Sequence, residues 1–153
     1  MITARPVILR TGFGPFPGIP ANATSILVPR IARAATQRFP DARIDCHILP
    51  TEWHAGLQEA HRLYAHVQPS LAVHFGVASR ATGFEIEVRG QNRCTQAADA
   101  SGSLPAAPWL THAGPEALPT RLPAQHIVTR LRRRGLPARI SRDAGGYLCN
   151  ALL

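Results

Sequence analysis

The chain has 153 residues, 45% of them hydrophobic, which suits one domain with a real core and excludes a disordered tail. No stretch approaches the ~20 continuous apolar residues of a membrane-spanning helix. The net charge is +8 and all 17 basic residues are arginine. They are scattered, apart from Arg130, Arg132, Arg133 and Arg134 at the end of a predicted helix, where cations suit the macrodipole. No aromatic residues interleave with them as a base-stacking platform would need, so nucleic acid is not the expected partner. Three widely spaced cysteines form neither a disulfide framework nor a zinc motif. They read as reduced thiols in a cytoplasmic protein.

The N-terminus, Met1 to Pro6, lacks the basic, apolar and small-residue succession of a signal peptide and leads into a short apolar strand, Val7-Ile8-Leu9. Thr11-Gly12-Phe13-Gly14-Pro15-Phe16 reads as the loop after it. From about Thr24 to Phe39 a helix is predicted, with Leu27, Ile31, Ala34 and Ala35 at helical spacing. Pro29 fits only a first turn, so this helix should start late or kink. Arg43 to Leu49 alternates as a strand. Thr51 suits the cap of a second helix, with Trp53, Leu57, Ala60, Tyr64 and Val67 on one apolar face. Leu71 to Gly76 is another buried strand ending in glycine.

Phe84 to Val88 follows as a strand. Residues 90 to 119 make a long excursion rich in Pro, Gly and Ala, of the kind that is often functional. Thr120 to Arg134 reads as a helix stopped by Gly135, and Ala138 to Ser141 as a last short strand. Strands alternating with helices predict a single α/β domain over residues 1–153, three layers deep (α/β/α), with a mostly parallel central sheet. In such sheets sites gather at the carboxyl ends of strands. Three segments fall there: Gly12 to Phe16, the stretch after Gly76 through Asn92, and Ala144 to Asn150.

Cys149 follows a glycine pair and opens a predicted helix, whose positive end favours thiolate and whose N–H groups suit an oxyanion. Its alternative is a small buried residue packed like alanine. Cys46 and Cys94 lack that setting and read as structural. Glu85 and Glu87 share one face of their strand. A carboxylate there can orient an imidazole beside a thiol, or simply be a solvated edge. Phe13 and Phe16 flank a turn and serve equally as core or as the apolar wall of a pocket. No metal site or cofactor is indicated: the seven histidines are dispersed and no paired-cysteine or His-Glu-x-x-His motif occurs.

Taken in order, Thr11 to Phe16 with Gly18 and Asn22, Val73-His74-Phe75-Gly76, Phe84-Glu85-Ile86-Glu87 with Asn92, Leu131 to Pro137, and Ala144 to Asn150 resemble the pyroglutamyl peptidase I family of cysteine peptidases. The likeness is collinear and spans essentially the whole chain. It implies a cysteine exopeptidase that removes N-terminal pyroglutamate from peptides, with Cys149 as nucleophile and Glu87 as the carboxylate. It places Phe13 and Phe16 as walls around the ring, Asn22 as a polar contact and Arg89 as a substrate-side cation.

This sequence departs from the family pattern at Val88, where the family has arginine, so that Arg89 comes one step late and on the opposite strand face. Val77 replaces a polar residue, and Ala23-Thr24 a Pro-Ser pair. The chain ends at Leu153, ahead of the family's last strand and helix, which carry its histidine; none of the seven histidines holds that position. The expectation is therefore a family domain incomplete at its C-terminus, of reduced activity, associating as a homo-oligomer through uncovered sheet. A non-catalytic pyroglutamyl-binding homologue and a basic nucleic-acid-binding module are the alternatives.

Overall fold

A computed structural model describes residues 5–153. Met1 to Ala4, most of the segment read as lacking a signal sequence, lie outside the described residues. The fold is α/β with mostly parallel strands, and the chain divides into two compact units: residues up to 77 with 98–104, and residues 78–97 with 105–153.

The first unit is a parallel three-stranded ladder in the order β2-β1-β3: β1 is Val7–Phe13, β2 Arg43–Leu49 and β3 Leu71–His74. Helix α1 (Ala23–Arg38) links β1 to β2, and α2 (Trp53–Val67) links β2 to β3. β1 lies between both neighbours, and Leu9 to Phe13 are all buried, as a strand covered on two faces requires. The strand runs on through Thr11 and Gly12, which the sequence assigned to a loop, because both pair with β2 up to Phe13↔Leu49. The polar Arg10 hid this continuity. Its guanidinium is buried and donates to the Ile31 carbonyl of α1 at 3.1 Å.

α1 starts at Ala23 rather than late, and Pro29 lies inside it. The cap explains the start: Asn22 Oδ1 accepts from Thr24 N–H at 3.0 Å. Its buried stripe is Thr24, Val28, Ala32 and Ala35; of the expected Leu27, Ile31, Ala34 and Ala35, only Ala35 belongs to it. Thr24 Oγ1 bonds the Phe13 backbone, which fixes the helix rotation. In α2 the buried face is Trp53, Gly56, Ala60, Leu63 and Val67. Tyr64 is turned partly outward, and its hydroxyl bonds His74. Thr51 does not cap α2. Its hydroxyl donates to the Gly14 carbonyl at 2.8 Å, while the buried Asp99 accepts the Trp53 N–H at the helix start.

The second unit pairs short strands. β4 (Phe84–Glu87) lies parallel to β7 (Ala138–Ser141), in register from Phe84↔Ala138 to Glu87↔Ser141. β5 (Arg89–Gln91) lies antiparallel to β6 (Ala117–Pro119). α3 (Ala124–Arg132) packs on β7 and β4 and is shorter than read from sequence, because Pro123 stands at its N-cap. It closes as a Schellman motif: Gly135, at φ 75°, donates to Arg132, and Leu136 to Leu131. The four-residue α4 (Leu148–Ala151) follows β7.

Candidate active site

In the first unit Phe13 ends β1, and the loop leaving the strand carries Phe16 and Asn22. Phe13 is buried, which places most of its ring in the core of the strand end. Phe16 is half-buried and forms a bridge with Ile19 across a turn whose Gly18 sits at φ 83°. Asn22 is buried and shapes the loop: Nδ2 donates to the Gly14 carbonyl at 2.9 Å, and Oδ1 accepts from the Thr24 N–H and hydroxyl. The Gly14 carbonyl thus receives donors from both Asn22 and Thr51. The loop is held as a rigid rim rather than an open flap.

His74, on the strand that resembles the family's central one, is engaged at both ring nitrogens. Thr11 Oγ1 lies 2.7 Å from Nδ1 and Tyr64 OH 2.7 Å from Nε2. Burial holds its pKa down, from 6.5 to about 4, so the ring is neutral at physiological pH. It ties α2, β1 and β3 together.

In the second unit the structure separates the two glutamates that the sequence leaves side by side. Glu85 forms an ion pair with Arg139. Glu87 is half-buried, hydrogen-bonds Ser141, and has one buried oxygen, Oε2, with no hydrogen-bond partner among the described residues. Burial is the largest influence on its carboxyl and pushes the pKa up. The Ser141 bond opposes this, and Glu85 and Asp143 reinforce it. Perturbed carboxyl pKa values of this kind concentrate at functional sites. Val88 breaks the strand: its N–H donates to Ser141 and its carbonyl accepts from Thr120. Arg89 then begins β5 and donates to the Arg142 carbonyl at 3.1 Å.

Cys149 is the second residue of α4 and is half-buried. The preceding loop is braced by Asp143, which accepts from Gly145 N–H and pairs with Arg93 at 2.6 Å. Cys46 and Cys94 have pKa values pushed up by burial, for Cys46 against the opposing pull of Arg10, as befits structural thiols. Among the described residues no group of three or more His, Cys, Asp or Glu could hold a metal ion, and no helix is long and apolar enough to cross a membrane.

The pyroglutamyl peptidase family model matches residues 7–153. The chain belongs to this family. Pyrrolidone-carboxylate peptidase of Oceanobacillus iheyensis is 30% identical over 146 residues, covering 95% of this chain and 72% of the relative. The enzyme of the same name from Pyrococcus furiosus is 30% identical over 148 residues, covering 95% and 69%. Among solved structures, pyroglutamyl peptidase I of Bacillus amyloliquefaciens is similar with a TM-score of 0.85 at 29% identity, over 96% of this chain and 70% of that one. Pyrrolidone carboxyl peptidase of Fervidobacterium islandicum gives 0.88 at 27%, over 96% and 70%.

For a pyroglutamyl peptidase family member the sequence leaves several residues unread. Ser141 partners Glu87 only because β4 and β7 pair in parallel register, which no local pattern encodes. Asp99 in the long excursion accepts from the backbone of Trp53, Ser101 and Ser103. An Asp-Ala-Ser-Gly run signals such a turn, though not its reach to α2. Asn150 is the third unread residue.

Proposed function

We propose that residues 1–153 act as one peptidase domain that removes N-terminal pyroglutamate from peptides, in the cytoplasm, through an acyl-enzyme on Cys149. Pyroglutamate locks its amine in a lactam, so no charged terminus is available to clamp. Recognition must come from apolar walls and from hydrogen bonds to the lactam edge. Phe13 at the end of β1, with Phe16 and Asn22 in the loop after it, is assigned to that ring, and Arg89 to the substrate side. The Cys149 thiolate attacks the carbonyl joining pyroglutamate to the next residue. An imidazole carries the thiol proton to the leaving amine, and water releases the acyl group. Glu87 orients and charge-stabilises that imidazole.

The observation that carries this reading is Glu87: a half-buried carboxylate with a raised pKa and one unpartnered oxygen, in a chain whose relatives are named for pyroglutamyl hydrolysis. A buried acceptor left unpaired costs about 1–3 kcal/mol and is retained where a partner uses it. Exposed Phe84, Leu136 and Ile140 in the second unit support a homo-oligomer.

One observation favours the second reading, a pyroglutamyl-binding homologue without turnover. His74 is fully engaged by Thr11 and Tyr64, which leaves it no nitrogen for a thiol proton. Hydrolysis of a fluorogenic pyroglutamyl amide decides between them. Turnover lost in Cys149→Ser establishes the peptidase. Pyroglutamyl-amide binding by both chains, with turnover by neither, establishes the binder. No binding and no turnover overturns both.

A further inference from the structure

Asn150 directly follows Cys149, and its side chain is almost completely buried in the second unit. Its amide is spent on backbone. Oδ1 accepts the Gln91 N–H at 2.7 Å, while Nδ2 donates to the Gln91 carbonyl at 2.7 Å and the Arg93 carbonyl at 3.2 Å. In a strand, one residue's N–H and C=O point to the same edge. The neighbouring Asn92 N–H faces the β6 side, bonding Glu116, so Gln91 presents both groups to the opposite edge. Asn150 fills that edge as a one-residue substitute for a strand.

Two close approaches reinforce the seat. A methyl group at Gly90 would lie 2.9 Å from Leu153 Cβ, and one at Gly146 would lie 2.8 Å from the Thr95 backbone nitrogen. The Thr95 N–H also donates to the Gly146 carbonyl at 2.7 Å. The helix carrying Cys149 is therefore bolted at its start, middle and end to residues 90–95. That segment begins three residues after Glu87.

We infer that Asn150 is the positioning residue of the candidate site: its amide sets where the Cys149 thiol stands relative to the segment that carries Glu87. The inference rests on Cys149 being the nucleophile. Only asparagine meets the demand. Aspartate can accept from Gln91 but cannot donate to two buried carbonyls. Serine is too short to span all three groups, and glutamine adds a methylene that a buried seat has no room for.

The test is the rate at which iodoacetamide alkylates Cys149, followed by peptide mass spectrometry across pH in the full chain. Cys46 in the first unit serves as internal control. In Asn150→Ser the Cys149 rate should fall about tenfold at neutral pH, with Cys46 unchanged. In Asn150→Asp the rate should fall likewise, and the new carboxylate should displace the whole pH–rate profile of Cys149 upward. Charge alone can produce that displacement, so the positioning role is read from the uncharged Asn150→Ser, whose Cys149 profile should also move upward while that of Cys46 stays in place. Gly90→Ala should slow Cys149 with Asn150 intact, because the added methyl displaces α4. It carries the test should either Asn150 variant also accelerate Cys46, the sign of unfolding. Wild-type Cys149 reacting faster than Cys46, with all three variants matching it in rate and pH profile, overturns the positioning role alone. Wild-type Cys149 reacting no faster than Cys46 overturns the nucleophile reading, and this inference with it.

Discussion

The two units hold their candidate residues by different means. The first uses a parallel ladder with seven paired positions between β1 and β2, over a core that includes Leu9, Phe13, Val28, Leu49 and Leu63. Its loop is then trimmed by Asn22, Thr24 and Thr51. The second has strands of three or four residues and buries mainly Ala124, Val128, Ala138 and Leu148. Its Cys149 segment is fixed by side-chain bonds to backbone and by glycine contacts. Apolar burial is undirected and additive, whereas such polar seats are all-or-none. The first unit should therefore yield gradually to substitution, and the second at single residues.

The largest effects test this contrast directly. Leu9→Ala, deep in the ladder, should cost about 3–5 kcal/mol in equilibrium denaturation. Leu148→Ala should cost less, about 2–3 kcal/mol, because α4 is also held by its backbone bonds and can settle into the space. Equal costs would show that apolar packing dominates both units and break the comparison.

Acid should act next, and on the first unit. His74 is held neutral in the fold, with its pKa near 4 against 6.5 when unfolded. The unfolded chain binds the proton more readily, so this stability is present above the unfolded value and is lost as pH falls from about 6.5 towards 4. The loss amounts to about 3 kcal/mol at its full extent. His74→Gln, which keeps polar contacts without titrating, should flatten that slope between neutral and acid pH. An unchanged slope would remove His74 as its source.

How much of this was legible follows the reach of each signal. β2 and β7 match their sequence bounds because alternation and flanking proline or glycine are local. Pro123 and Gly135 delimit α3 for the same reason, though the helix was read as longer. The rotation of α1 was not legible, since Thr24 bonding to Phe13 is a tertiary fact. Arg10 ended the apparent strand because a buried arginine looks exposed until the Ile31 carbonyl is known. The sequence suggests Thr51 as a cap because hydroxyls usually serve the nearest helix, whereas here its hydroxyl donates to the Gly14 carbonyl. For the candidate site, Cys149 and Glu87 follow from residue type and family likeness. Ser141 and Asn150 act through pairings that exist only once β4, β5 and β7 are placed.

A smaller effect sharpens the contrast at the first loop. Asn22→Ala removes the α1 cap and one donor to Gly14, leaving buried groups unpaired. It should cost about 1–2 kcal/mol by denaturation. Because Thr51 keeps its bond to the Gly14 carbonyl and Thr24 Oγ1 its bonds to the Phe13 backbone, the loop should stay folded at moderate temperature. Loss of the whole fold would mean that the first unit is as brittle as the second.

The smallest stability effect has the opposite sign and belongs to Glu87. Its carboxyl is raised in the fold, chiefly by burial, so the folded state prefers the proton. Stability from this group is present below the ordinary carboxylate range and is lost as pH climbs through the folded value, the reverse of His74. Glu87→Gln keeps the shape and can still accept from Ser141, but carries no charge to desolvate. It should raise the thermal midpoint by a few degrees at neutral pH and by nothing at acid pH, while hydrolysis of a pyroglutamyl amide is lost. The pH dependence is the discriminating part. A gain equal at both pH values would come from packing, and a loss at neutral pH would mean that ionised Glu87 is stabilised by its surroundings. A gain confined to neutral pH would show that the second unit keeps, at a cost to its own stability, a charge that its fold does not need and its chemistry does.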